Sequence, residues 1–152
     1  LNEYLERFRS TLFRQTMFAD FEQRIHEASE AGEPLTPDRF DSMYRDLKEE
    51  FYAPAELDDR IGREWMRIPH FYYDFYVYQY ATGISAAVAI VDRIREEGEV
   101  AADAYLEALS LGGSTYPIEV LETAGIDMSS SEPIERAIGV YGEYLDEMAA
   151  LV

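Results

Sequence analysis

Apolar residues recur at helical spacing along nearly the whole chain, and no stretch shows the strict alternation of a half-buried strand. Leu1, Leu5, Phe8, Leu12, Phe18, Phe21, Ile25 and Ala28 form one stripe. That stripe predicts a first helix of about thirty residues, which Gly32 and Pro34 end near Ala31. No capping residue precedes Leu1, so the expectation is that the chain is a piece of something longer. Thr36 as N-cap and Pro37 at the first helical position start a second helix, with Phe40, Met43, Tyr44, Leu47 and Phe51 on one face and Pro54 closing it. Leu57, Ile61 and Trp65 predict a shorter helix between Ala55 and Trp65. A helix from Tyr72 to Glu97 follows, stopped by Gly98, and then one from Val100 to Leu111 with Ala101, Tyr105, Ala108 and Leu109 inward. Gly112-Gly113-Ser114 reads as a tight turn. Pro117 opens a short helix that Gly125 ends, and Ser129 to Ser131 cap a terminal helix from Glu132 to about Ala150. With no repeat, low-complexity tract or internal linker, residues 1–152 are expected to form one all-α segment of about six or seven helices.

One stretch stands apart chemically. Residues 67–83 read RIPHFYYDFYVYQYATG and hold His70 with Tyr72, Tyr73, Tyr76, Tyr78 and Tyr80. Pro69 disfavours the α conformation at Ile68, which puts His70 where a loop becomes a helix. In a helix starting near Tyr72, Tyr73, Tyr76 and Tyr80 share a stripe with Gly83, Ile84 and Ala87, while Phe71, Phe75, Tyr78 and Thr82 lie opposite. A helix aromatic on both faces is expected to be buried all round, and its hydroxyls must then find partners. For tyrosines on a helix a core role is the commoner one. An imidazole beside several phenols, however, forms a neutral donor set suited to a peptide carbonyl or a developing oxyanion. From Phe75 to Val91 the chain carries no charge, but Gln79, Thr82, Ser85 and the tyrosines make it too polar for a membrane span.

Charge narrows the partners. Acidic residues number 31 against 13 basic ones, for a net charge of −18, and Lys48 is the only lysine. Such a surface repels phosphate backbones, which argues against nucleic acid. Acids spread along every segment, with arginine in place of lysine, point to a salt-rich cytoplasm. Cysteine is absent, so a metal here would need histidine or carboxylate, and no disulfide is available.

Residues 65–87, WMRIPHFYYDFYVYQYATGISAA, resemble the C-terminal catalytic-domain segment of oligoendopeptidase F, a zinc peptidase of the thimet-oligopeptidase superfamily. Three further blocks agree in kind and order: Phe13 to Glu22 (FRQTMFADFE), Gly112 to Pro117 (GGSTYP) and Ala124 to Met128 (AGIDM). The resemblance covers essentially the whole chain. It implies the C-terminal helical part of a larger catalytic domain that hydrolyses short peptides, with the Gly112 turn packed near the cleft. It also implies zinc held by an H-E-x-x-H motif and a downstream glutamate, with zinc and a glutamate activating water. His26-Glu27-Ala28-Ser29-Glu30 lacks the second histidine of that motif. Glu22, His26 and Glu30 share a helical face, where a solvated, ion-paired stripe is the expectation and His26 is not expected to be a ligand. The zinc ligands are therefore expected upstream, in the rest of the catalytic domain, and the chain alone is expected to hold no zinc and to be inactive.

The resemblance gives this segment the opposite wall of the cleft, with His70 and hydroxyls from Tyr73, Tyr76, Tyr78 or Tyr80 on the substrate carbonyl. The shared stripe favours Tyr73, Tyr76 and Tyr80, whereas an ungapped match of the following helix favours Tyr78. A non-enzymatic helical interaction module is the rival reading, since the aromatic helix would serve equally well as core. A self-contained hydrolase using His70 as base fares worse, because no serine, cysteine or aspartate motif accompanies it.

Overall fold

Among the described residues the helical periodicity is realised in seven α-helices. The computed structural model describes residues 1–151, and among them there is no strand. In chain order the helices are α1 (Asn2–Phe8), α2 (Arg14–Glu30), α3 (Pro37–Tyr52), α4 (Tyr78–Glu97), α5 (Glu99–Leu111), α6 (Pro117–Thr123) and α7 (Glu132–Ala150). A π turn, Arg9–Phe13, lies between α1 and α2, and two 3₁₀ segments, Asp59–Arg67 and Pro69–Tyr72, lie between α3 and α4. The predicted first helix is therefore broken. Its five-residue π turn inserts an extra residue and shifts the register between Phe8 and the Phe18–Phe21 face. No helix among the described residues is long and apolar enough to cross a membrane.

The chain divides into two units, residues 9–81 and residues 1–8 with 82–151. In the first, α2 and α3 bury Met17, Phe18, Phe21, Met43, Tyr44 and Leu47 around a core that also takes Ile68 and Val77. Burying side chains of this size contributes about 1.5–3 kcal/mol each. The start of α3 follows its sequence signal: Thr36 accepts from Arg39 N–H at 3.3 Å, and Pro37 takes the first helical position. The helix predicted between Ala55 and Trp65 is instead the 3₁₀ segment Asp59–Arg67, opened by Asp58, which accepts from Arg60 N–H at 2.8 Å. Gly62 lets this segment press against α3, since a Cβ there would meet Asp41 O at 3.0 Å. Trp65 Nε1 donates to Asp41 Oδ1 at 2.8 Å across the same contact.

Beneath that contact lies a buried ionic network. Glu64 accepts from Arg14 at 2.6 Å, Lys48 at 2.8 Å, Tyr44 at 2.8 Å and Arg67 at 3.0 Å. Lys48 is 4% exposed and also lies 4.4 Å from the centre of the Tyr52 ring. Burial alone would push the Glu64 carboxyl up, but bonds from Lys48, Arg67 and Tyr44 outweigh it and hold it down at about 2. Burial, and then the bond to Glu64, push the Tyr44 phenol well above its ordinary value.

In the second unit, Ala89, Ala108, Ala124 and Ile126 form a small core. Tyr4 and Phe8 of α1 set their rings against Tyr144 and Tyr141 of α7 at 5.0 and 5.7 Å. Ala101 and Ala108 of α5 are buried as expected, but Leu109 is 57% exposed. Gly98 and Gly125 take positive φ at the helix ends where the sequence placed stops. Ser131 precedes α7, yet its hydroxyl donates to the Glu135 carboxylate at 2.7 Å rather than accepting from a backbone N–H.

The largest departure from the sequence reading lies between Tyr72 and Tyr78. No helix begins at Tyr72. Pro69 opens a 3₁₀ turn that ends there, Asp74 and Phe75 take φ of +50° and +57°, and α4 starts only at Tyr78. The aromatic segment is thus not buried all round: Tyr72, Tyr73, Phe75, Tyr76, Tyr78 and Tyr80 are exposed, while Val77 is buried.

Candidate functional site

Ile68 is extended, as the following proline dictates, and is buried in the core of the first unit. It fixes the start of the 3₁₀ turn that carries His70, and Tyr73 N–H closes that turn on His70 O at 3.0 Å. The chain then reverses through two consecutive left-handed residues. For aspartate this conformation is tolerable, but for phenylalanine it is a true outlier, of a kind that persists only where the surroundings impose it. At this point Glu22 of α2 accepts from Phe75 N–H at 2.9 Å. Val77, two residues on, plugs the turn into the core.

This reversal gathers four of the five candidate side chains. The His70 ring stacks on Tyr76 at 6.0 Å with 5° between planes, and meets Tyr73 and Tyr80 edge-on at 6.2 and 5.5 Å. Tyr76 also meets Tyr73 at 6.0 Å and Tyr80 at 5.5 Å. The Tyr76 and Tyr80 hydroxyls lie 3.4 Å apart and share a hydrogen bond, and the Tyr80 hydroxyl lies 3.4 Å from His70 Nε2. The hydroxyl–hydroxyl contact with Tyr76, then desolvation and the neighbouring Tyr76 and Tyr73 phenols, push the Tyr80 phenol above its ordinary value. Both contacts are longer than a tight O–H bond, which leaves the hydroxyls free to turn toward another oxygen. Chemically this is an imidazole and three phenols on an exposed face. Tyr78, on the first turn of α4, lies outside the cluster.

The histidine face of α2 differs from its sequence reading. Glu22 is 1% exposed rather than part of a solvated stripe, and its partner is a backbone amide. His26 lays its ring on Phe75 at 4.4 Å. Sequence reasoning missed Glu22 as a contributor to the site because its partner lies 53 positions away. The signal was present in one respect: Glu22 interrupts the apolar stripe between Phe21 and Ile25.

Residues 1–140 match the model of peptidase family M3. The chain belongs to this family. It is 53% identical to oligopeptidase PepF of Bacillus subtilis (strain 168), covering 100% of this chain and 23% of that protein. It is 44% identical to an oligoendopeptidase F homolog of Lactococcus lactis subsp. lactis (strain IL1403), covering 100% of this chain and 26% of that protein. The crystal structure of oligoendopeptidase-F from Enterococcus faecium superposes with a TM-score of 0.95 at 44% identity, over 99% of this chain and 29% of that one. The chain therefore spans about a quarter of the length of these M3 relatives.

M3 peptidases are zinc enzymes, and the donor set here can be tested against that metal. The chain has two histidines and no cysteine, and among the described residues no three His, Asp or Glu side chains are grouped so as to hold an ion. These residues do not fit a zinc site on their own.

Proposed function

We propose that this chain forms the C-terminal, substrate-facing wall of an M3 oligopeptidase acting on short peptides. His70, Tyr73, Tyr76 and Tyr80 hold the scissile carbonyl and donate to the oxyanion as it develops. The observation that carries this reading is the convergence of an imidazole and three phenols over a backbone reversal with two consecutive positive φ values. Strained backbone of this kind clusters at active sites. Donors already aimed at the developing charge cost no reorganisation during the reaction, which is why their removal is expensive. Tyr78 is outside the cluster and is not given this role.

In this reading zinc and the groups that activate the attacking water belong to other parts of a longer polypeptide, which the roughly fourfold greater length of the relatives supports. The chain alone is then inactive, and its partners are the peptide and the rest of the catalytic domain. The acidic, lysine-poor composition suits a salt-rich cytoplasm.

The test is made in the full-length polypeptide with a short peptide substrate. Replacing His70 with Ala should lower kcat and kcat/KM together by roughly 10²-fold or more, with melting temperature nearly unchanged. Full activity in His70→Ala and in the Phe variants of Tyr73, Tyr76 and Tyr80 would refute the assignment. A loss of stability alone would make the cluster structural.

A further inference from the structure

We infer that Glu22 is a positioning residue for the histidine–tyrosine cluster, acting through the backbone N–H of Phe75. The inference rests on the role proposed above for His70 and the tyrosines.

Glu22 is almost fully buried, so it is not placed to touch a substrate. Its Oε1 accepts from Phe75 N–H at 2.9 Å, a bond from a residue that precedes the regular helix. Phe75 is the residue whose conformation most needs support, at φ +57° directly after Asp74 at φ +50°. Tyr73 stands immediately before this pair and Tyr76 immediately after it. A change at Phe75 therefore moves both rings against His70, which is tied to the 3₁₀ turn upstream.

The same face of α2 makes a second contact with the turn. His26, one helical turn beyond Glu22, covers the Phe75 ring at 4.4 Å. One helix thus holds the backbone and the side chain of the same strained residue. Val77 pins the far end of the reversal, and the bond from Tyr73 N–H to His70 O pins the near end. Between those points, the Glu22 carboxylate is the buried polar group that fixes the peptide plane.

The experiment compares Glu22→Met, which keeps the side chain's length but has no carboxylate, with Glu22→Gln, which keeps an oxygen that can accept the same bond. Both are made in the full-length polypeptide. Three quantities are read: amide exchange at Phe75, the His70 ring proton shifts set by stacked Tyr76, and kcat for a short peptide. Glu22→Met should speed Phe75 exchange at least about tenfold, move the His70 shifts toward those of an unstacked imidazole, and lower kcat roughly tenfold or more. Glu22→Gln should stay near the parent in all three.

Native shifts and exchange in Glu22→Met would overturn the inference, and so would a Gln variant as impaired as the Met one. If Glu22→Met fails to fold, the Gln arm decides alone, with native kcat and shifts supporting the clasp and their loss overturning it. If His70→Ala keeps full kcat, the substrate-wall reading has failed and with it the catalytic arm. The shifts and exchange then still decide whether Glu22 positions the rings.

Discussion

Replacing Glu64 with Gln leaves the shape of the network under the 3₁₀ segment almost unchanged and removes its only anion. Lys48 then sits 4% exposed without a counter-charge, while Arg67 and Arg14 can turn toward water. Two routes give the cost. Holding the Glu64 carboxyl at about 2 against its ordinary value of 4.5 corresponds to roughly 3 kcal/mol of differential stabilisation. Breaking one partner of a buried ion pair typically costs about 3–5 kcal/mol. Because the folded value is depressed, this contribution is complete above the unfolded value near 4.5 and is lost as pH falls toward about 2. Urea unfolding at pH 7 should therefore show Glu64→Gln weaker by about 3 kcal/mol, a large share of a typical domain's stability. Glu64→Gln combined with Lys48→Met should recover most of that loss, since a well-packed apolar replacement of a buried pair is often neutral. Acid titration of the parent should show a fall between pH 4.5 and 2 that is reduced in Glu64→Gln. A single variant within about 1 kcal/mol of the parent, or a double variant no better than the single, would refute the reasoning.

Other outcomes are expected. Tyr76→Phe should lose rate in the full-length polypeptide while Tyr78→Phe keeps it, and the reverse ranking in steady-state kinetics would return the site to Tyr78. With net charge −18, the melting temperature should rise from low to molar potassium chloride, and a flat or falling curve would remove the salt-rich assignment. Thr36→Ala should cost about 1 kcal/mol in chemical denaturation through loss of the cap on Arg39 N–H, with no change in kcat.

Local signals in the sequence were read correctly where the physics is local. Thr36-Pro37 started α3, Pro69 kept Ile68 extended, and Gly98 and Gly125 ended helices, because each acts within a few bonds. The stretch 72–77 went the other way. Its aromatic spacing satisfies the helical period, but a buried carboxylate 53 positions upstream holds Phe75 in a conformation no helix contains. Tyr73, Tyr76 and Tyr80 share a helical stripe in the sequence reading, with His70 at the loop before it, but no helix runs from Tyr72 to Val77. A turn brings the same residues together, so the set was legible while its cause and its exposure were not. Lys48 was conspicuous in composition, yet its partner Glu64 could not be paired with it before the 3₁₀ segment was folded onto α3.

Lys48 is the chain's sole lysine, and the fold encloses it, so every basic group at the surface other than histidine and the chain terminus is a guanidinium. Acylating reagents and lysine-directed tagging enzymes consequently find no exposed side-chain amine on these 152 residues while they are folded. The Lys48 ε-amino group becomes reactive only when the contact between α3 and residues 59–67 opens, and the rate of acylation at Lys48 would time that opening at one known position.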